Sequence, residues 1–269
     1  MTISLIVSTY NWSEALFLCL KSVEKQSVLP DEIIIADDGS DFETKKIIDS
    51  FRDKIKVPIK HVWHKDDGFR LAEIRNKAVL EAKGDYIVQI DGDVILHRHF
   101  IKDHKLFAKE NTFIKGRRAM IGAKTSEKLL KNGKTNISFL SSNLARREHG
   151  IRIPNFQKIF TTREENSADG VMGSNMAFWR KDFVEVNGYN NALKGWGAED
   201  KELAQRMVNN GIKKRKIKFG AIQYHLYHEE SDKKNHDKQV ETIENLQKSG
   251  KIRCENGLSE TEKNYIVYE

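Results

Sequence analysis

An apolar run, Tyr-Ile-Val-Gln-Ile (86–90), ends in Asp91-Gly92-Asp93, two carboxylates kept close by a glycine turn. Hard cations such as Mn²⁺ and Mg²⁺ take oxygen ligands and usually complete their shell with a substrate phosphate, so this turn is a candidate cation site. Further along, His225 and His228 lie close together, and either could add an imidazole. His228, followed by Glu229, Glu230 and a polar stretch, reads as a loop residue and is the better placed, while His225 reads as strand-bound. The competing reading of each is an ordinary packed or surface histidine.

Two other charged residues break the pattern of the helix that carries them. At about 100° per residue, the segment 70–82 points Leu71, Ile74, Ala78 and Ala82 along one face, and Arg75 falls inside that stripe. A permanent cation there needs an anion. A structural ion pair would serve; a diphosphate reached over the sheet edge is preferred here because carboxylates that could hold a cation lie nearby. Arg70 falls off the stripe, at the rim. The helix from Glu199 turns Leu203, Ala204 and Met207 inward, with Asp200 projecting among them. A first-turn acid can be no more than a dipole-friendly helix start, yet the same dipole keeps the carboxylate ionised, as a general base requires. Gly195-Trp196-Gly197 reads as a flexible loop carrying an aromatic plate for a sugar face, although a lone tryptophan is more often core.

These residues need a scaffold, and the first hundred residues supply one. Strand signals at Ile3–Ser8, Glu32–Ala36, Ile59–His64 and the run ending at Asp91 alternate with helix signals. The helices are one capped by Ser13 with the stripe Leu16, Cys19, Leu20 and Val23, one over Thr44–Phe51, and one over Arg70–Ala82 stopped by Gly84. This βαβαβαβ order predicts an α/β domain with a mostly parallel sheet and helices on both faces. Ligands of such sheets bind beyond the carboxyl ends of the strands, where Ser8-Thr9-Tyr10-Asn11, Asp37-Asp38 and Asp91-Gly92-Asp93 all fall. The second half is less regular. Loops or an insertion are expected over 131–169, an extended segment over 170–180, a helix over Glu199–Asn209 ended by Gly211, strands near 213–219 and 221–227, and a helix within 235–249 before a polar tail. We read one domain over 1–235, in two halves (1–95 and 96–235) that the resemblance given below makes nucleotide-binding and acceptor halves, and a C-terminal extension over 236–269.

Bulk composition narrows the classes. No apolar run approaches the roughly 20 residues that span a bilayer, and no basic region precedes an apolar stretch at the start. Two cysteines, Cys19 and Cys254, are too few for a disulfide framework, which fits a cytoplasmic protein. The net charge of +7 points to an anionic partner, with the densest basic run at Lys213–Lys218. That run is either a solvated strand and turn or a contact with an anionic membrane surface or acidic glycan. Nucleic acid is not expected, because no helix carries a basic stripe.

Ser-Leu-Ile-Val-Ser-Thr-Tyr-Asn (4–11), Asp-Asp-Gly-Ser (37–40), Arg-Asn-Lys-Ala (75–78) and Asp-Gly-Asp (91–93), in this order, resemble the family 2 nucleotide-diphosphosugar glycosyltransferases of GT-A fold. Gly-Ser-Asn-Met-Ala-Phe (173–178), Gly-Tyr-Asn (188–190) and Gly-Trp-Gly-Ala-Glu-Asp (195–200) are similar to the catalytic half of β1,4-galactosyltransferases and to chondroitin-polymerase modules. The resemblance covers about residues 3–235. It implies that Ser8, Thr9 and Tyr10 line a uracil pocket, with Tyr10 stacked on the base at ~1–3 kcal/mol. It implies that Asp38 accepts from the uracil imide and that Arg75 touches ribose or diphosphate. The Asp91-Gly92-Asp93 turn would bind Mn²⁺ or Mg²⁺ across the two phosphates, with His228 completing the site. Asp200 would be the base, Glu199 an acceptor-hydroxyl contact, and Trp196 part of a mobile loop closing on the donor.

The function so implied is inverting transfer from a UDP-sugar to a hydroxyl of a glycan or glycolipid, in bacterial surface polysaccharide or lipooligosaccharide synthesis. The expected location is cytoplasmic, with peripheral contact at the inner membrane face. Two alternatives stand beside it. One is a sugar-nucleotide-binding protein without catalysis, which the intact Asp93, Glu199 and Asp200 disfavour. The other is a sugar nucleotidyltransferase, which would need a glycine-rich basic loop where Ser-Thr-Tyr-Asn-Trp (8–12) stands.

Overall fold

Each apolar run of the N-terminal half becomes a strand buried on both faces, and the helices between them supply the cover. The computed structural model describes residues 1–137, 143–160, 163–195, 197, 199–229 and 236–269. The first seven elements are β1 (Ile3–Thr9), α1 (Ser13–Glu24), β2 (Glu32–Asp37), α2 (Phe42–Arg52), β3 (Ile59–Trp63), α3 (Leu71–Glu81) and β4 (Tyr86–Asp91). Alternation along β1 sends Leu5 and Val7 to the face covered by Leu16, Leu20 and Val23 of α1, and Ile6 to the face covered by Ile74, Ala78 and Val79 of α3. Each such side chain contributes about 1.5–3 kcal/mol when fully buried. That gain offsets the cost of burying Arg75, Asn76 and Lys77 on the same helix α3. The start of α1 differs from expectation. Trp12, not Ser13, occupies the N-cap of α1 and makes no side-chain cap bond, whereas α2 is capped by Asp41 accepting from Glu43 N.

Past Asp91 come β5 (Val94–Leu96), α4 (Phe100–Phe107), β6 (Thr112–Lys115), β7 (Arg117–Ile121), α5 (Ala123–Asn132), β8 (Leu144–Ala145), a 3₁₀ turn (Arg147–Gly150), α6 (Pro154–Phe160) and β9 (Glu164–Glu165). The chain continues through β10 (Asn175–Trp179), α7 (Arg180–Glu185), α8 (Glu199–Asn209), β11 (Lys213–Lys216), β12 (Ile222–His225), α9 (His236–Ser249) and β13 (Ile266–Tyr268). The large sheet runs β13-β3-β2-β1-β4-β10-β6-β11-β9, and its centre, β3-β2-β1-β4, is parallel as expected. A smaller sheet, β5-β12-β7-β8, stands beside it. The expected strand near 221–227 is there, but it belongs to this second sheet.

Strand order reverses at β1, between β2 and β4, and the register there fixes the site. Ser8 lies opposite Asp91, and Thr9 opposite Asp37. The three polar clusters therefore meet side by side at one topological switch point. In the smaller sheet β12 pairs antiparallel with β5, setting His225 opposite Val94, and Leu226 N–H donates to Asp93 O at 2.9 Å. A segment from late in the chain is thus clamped to the end of the carboxylate turn.

The C-terminal tail is built into the sheet rather than trailing from it. β13 pairs antiparallel with β3, and Tyr268 O accepts from Arg52 Nη2 at 3.1 Å. α9 lies against α8, where Gln247 Nε2 donates to Gln205 Oε1 at 3.0 Å. Among the described residues no helix is long and apolar enough to cross a membrane.

Candidate active site

Asp93 faces two imidazoles at once. His225 Nε2 and His228 Nε2 each lie 3.3 Å from Asp93 Oδ2, and one ligand atom from each of the three residues falls within 4.8 Å of the others. The sequence favoured His228 over His225; the structure brings both together, because the β5–β12 pairing turns the strand residue toward the same carboxylate. His228 Nδ1–H donates to Glu229 O at 2.8 Å, which leaves Nε2 as the nitrogen aimed inward. Its hydrogen bond to Asp93 raises its pKa to about 9 against the pull of burial, so a cation binding here displaces a proton. For Asp93, burial pushes upward but is outweighed by the bond from His228 and the charge of both imidazoles, and the carboxyl sits below its ordinary range. Burial lowers His225, and Asp93 opposes that shift.

The residues fit a divalent cation. Asp93 Oδ1 is buried and has no hydrogen-bond partner among the described residues, a costly state for a polar atom unless a ligand satisfies it. One carboxylate with two imidazoles suits a borderline transition ion such as Mn²⁺ better than Mg²⁺, which prefers an all-oxygen shell. Asp91 stands apart from this group, since its Oδ1 is engaged with Arg75 Nη2 at 3.0 Å.

Arg75 lies among carboxylates. It is buried, and its guanidinium donates to Ser8 Oγ at 3.1 Å, Asp91 Oδ1 at 3.0 Å and Asp200 Oδ1 at 2.8 Å, with Glu199 Oε1 at 3.6 Å. Burial works against its charge, but Asp200, Asp91 and Glu199 outweigh burial and hold it protonated. The guanidinium thereby ties the end of β4 to the start of α8.

Asp200 is fixed by three donors. Arg75 Nη1 and Tyr189 Oη, the latter at 3.1 Å, donate to Oδ1, and Gly173 N–H donates to Oδ2 at 2.6 Å. Its side chain keeps 18% exposure against 6% for Glu199, so Asp200 is the carboxylate that solvent and substrate can reach. Glu199 accepts from Gly197 N–H at 3.1 Å. Burial, then repulsion from Asp200, raises its pKa to about 7 against the pull of Arg75. Two adjacent carboxyls thus sit in unlike environments.

The switch-point cleft is lined by Ser8, Thr9, Tyr10, Asp38 and Asp91-Gly92-Asp93, as the sequence placed them, together with Trp12, Phe69 and Leu71. Tyr10 is half exposed and donates from Oη to Asp66 Oδ2 at 3.0 Å. Asp38 is buried and already accepts from His64 Nε2 at 2.6 Å and Arg70 N–H at 2.9 Å. Each carboxylate oxygen has a second lone pair, so Asp38 can accept once more. Behind it, Lys77 Nζ donates to His64 Nδ1 at 3.0 Å and to Glu73 Oε1 at 2.6 Å, which fixes the imidazole tautomer. Gly92 N–H donates to Ser8 O at 2.7 Å, and a Cβ there would meet that oxygen at 3.0 Å, so the turn is tight where it faces the cleft. Trp196 lies outside the described residues.

Sequence reasoning quoted Gly173 and Tyr189 within motifs without assigning them a role, and it missed His64, Trp12 and Phe69 as site residues. Phe69, exposed on a loop after Asp66-Asp67-Gly68, carried a readable signal as an unburied aromatic; the others are recognisable only once folded. The basic run also resolves differently. Lys214 is buried, pairs with Glu165 at 3.3 Å and donates to Asp169 O at 2.9 Å, while Lys213 and Lys216 pair with Glu164 and Glu165 at 3.6 and 2.8 Å. Most of this charge is structural.

A model of glycosyl transferase family 2 matches residues 4–187, and one described as the N-terminal domain of galactosyltransferase matches residues 156–229. The chain is 27% identical to the chondroitin synthase of Escherichia coli over 245 residues, covering 83% of this chain and 34% of that protein. It is 26% identical to the hyaluronan synthase of Pasteurella multocida over 226 residues, covering 78% of this chain and 23% of that one. It therefore spans about a third or less of the length of these curated relatives. The fold is similar to S. aureus TarS 1–349 in complex with UDP (TM-score 0.58, 17% identity, 90% of this chain and 64% of that one). It is also similar to GalNAc-T7 with UDP, GalNAc and Mn²⁺ (TM-score 0.62, 19% identity, 90% and 48%). With a mixed α/β sheet of GT-A type and a family match across most of its length, this chain belongs to glycosyltransferase family 2.

Proposed function

We propose that the protein is a metal-dependent, inverting glycosyltransferase that moves a sugar from a UDP-sugar to a glycan hydroxyl. The observation that carries this reading is the Asp93–His225–His228 cluster at the mouth of a cleft that also leads, through Asp91 and Arg75, to the rigidly held carboxylate of Asp200. Tyr10, Trp12 and Phe69 offer aromatic faces to a base or sugar, and Asp38 offers an acceptor to an imide N–H. Asp93, His225 and His228 would hold Mn²⁺, which when bound supplies Lewis-acid stabilisation of charge on the leaving diphosphate. Asp200 takes the proton from the acceptor hydroxyl as that oxygen attacks the anomeric carbon opposite the diphosphate. Tyr189, Arg75 and Gly173 N–H keep Asp200 oriented for that transfer. Relatives named chondroitin synthase and hyaluronan synthase support a role for this chain in surface glycan assembly, which we place at the inner face of the membrane.

The test pairs transfer with binding. Asp200→Asn should lower kcat by about 10²–10⁴-fold, the range for losing a general base, with UDP affinity within about two-fold of wild type. Parallel loss of both would remove Asp200 from the base role. One observation favours a second assignment: the Glu199 carboxyl, raised to about 7, is poised for proton transfer near neutrality. A Glu199 base would make kcat/KM fall tenfold per pH unit below about 7, and Glu199→Gln would abolish that limb together with the activity. An active E199Q enzyme with an unchanged profile leaves the base at Asp200.

A further inference from the structure

A second cavity, of about 220 Å³, opens beside the active site and is walled by Lys115, Arg117, Arg118, Arg146, His149 and Lys216, with Gly116 and Met172 between them. Among its described lining residues there is no carboxylate. It shares no lining residue with the cleft at Ser8–Asp93, although Arg118 is near enough to act on Asp91 and Asp93. The strands explain the clustering. β6 and β7 are separated by Gly116 alone, so Lys115, Arg117 and Arg118 come in one short run, and β11 beside β6 adds Lys216 opposite Lys115.

The protein balances this charge only in part: Glu148 lies 3.5 Å from His149, and the charge of Arg118 favours the ionised forms of Asp91 and Asp93. Glu165 serves Lys214 at 3.3 Å and Lys216 at 2.8 Å, one carboxylate for two cations. Among the described residues Arg118 Nε, which is buried, has no hydrogen-bond partner, and Arg118 Nη1 makes a long contact, 3.4 Å, to Ser174 Oγ. Burial, and then the charges of Lys216, Lys214 and Arg117, lower the pKa of Lys115 to about 8. Several cations held together in a partly enclosed space are stable when an anion enters. The cavity has room for several waters of about 30 Å³ each, enough for a carboxylate or phosphate group with part of the ring that bears it.

Its position says which substrate brings the anion. Met172 lines the cavity, the next residue, Gly173, donates its N–H to Asp200, and the one after, Ser174, touches Arg118. One short segment has the basic cavity on one side and the proposed base on the other. Resting on the transferase reading above, we infer that the acceptor is an anionic glycan, whose carboxylate or phosphodiester seats among Lys115, Arg117 and Arg146 while a neighbouring hydroxyl is presented to Asp200.

The experiment compares three acceptor oligosaccharides of equal length, one ending in a hexuronate, one linked by phosphodiesters and one uncharged, with UDP-sugar and Mn²⁺. The enzymes are wild type, Lys115→Gln, and Arg146→Gln, whose side chain is exposed and whose loss should not disturb folding. At least one anionic acceptor should be used about tenfold or more better than the uncharged one, falling with added salt, and which of the two wins identifies the anion. Each variant should raise KM for that acceptor about tenfold while leaving donor KM and acceptor-free donor hydrolysis within about two-fold. Equal use of the uncharged acceptor, or variants with unchanged acceptor KM and normal donor hydrolysis, would overturn the anionic acceptor alone. A wild-type protein that neither binds UDP with Mn²⁺ nor consumes UDP-sugar would overturn the transferase reading beneath it. Binding to phosphatidylglycerol vesicles that the variants abolish, without an acceptor preference, would reassign the cavity to a lipid headgroup.

Discussion

At the scale of single residues, the site depends on a side chain that is missing. A Cβ on Gly173 would lie 2.6 Å from Asp200 Oδ2, 2.7 Å from Arg75 Nη1 and closer still to Asp200 Oδ1. Gly173→Ala should therefore push the carboxylate out of line, and a displacement near 1 Å costs on the order of 10²-fold in rate. Steady-state kinetics should show that loss in kcat with donor KM nearly unchanged; a fully active G173A would mean that Asp200 need not be held where it is. Arg75 shows how much of this was legible beforehand. Its place within an apolar helical stripe announced a buried cation in need of anions, but not which ones. The partners come from β4 and α8, and only tertiary contact joins them. Gly173 was legible only as the first residue of a motif, because a glycine required by a neighbour's side chain carries no sign of that neighbour.

At the scale of elements, the parallel core was readable because its strands are short apolar runs bounded by turn residues and its helices keep a 3.6-residue stripe. The stretch from Val94 to Asn132 was not. β5 is three residues long, β6 and β7 are separated by one glycine, and neither carries a long enough pattern to reveal its period. The expectation that His225 would be occupied as a strand residue was correct about the strand and incomplete about its direction, which the antiparallel partner β5 decides. β13 was hidden in a polar tail for the same reason of length. It covers the edge of β3, where Tyr268 also lies against His61 (ring centroids 5.3 Å) and beneath Lys45 Nζ (5.0 Å from the ring centroid). Deleting residues 266–269 should bare that edge and cost about 1–3 kcal/mol, lowering Tm by roughly 2–10 °C in calorimetry while UDP affinity persists. An unchanged Tm would reduce β13 to a passive end.

For the whole molecule, ligand binding should be visible as stability. A ligand at a hundredfold excess over its Kd adds about 2.7 kcal/mol, or roughly 5–10 °C in Tm for a chain of this size. UDP with Mn²⁺ should reach that range and UDP with Mg²⁺ should fall short, since two of the three facing groups are imidazoles. His228→Ala should erase the Mn²⁺ increment and leave that of UDP alone. Equal shifts for the two metals, or an increment surviving in H228A, would place the cation elsewhere. The net charge of +7 adds an ionic-strength dependence to any association with a polyanion, so these scans belong at a fixed salt concentration.

The clamp between β5 and β12 has a consequence for the order in which competence arises. Asp93 is synthesised early, with most of the cleft that would receive a nucleotide, but the imidazoles opposite it emerge from the ribosome more than a hundred residues later. A nascent chain carrying only the first parallel strands could recognise uridine and yet lack the nitrogen ligands that would retain manganese. On the transfer proposed above, Asp200, which lies between the two ligand groups in the chain, would be made before the cation site could be completed.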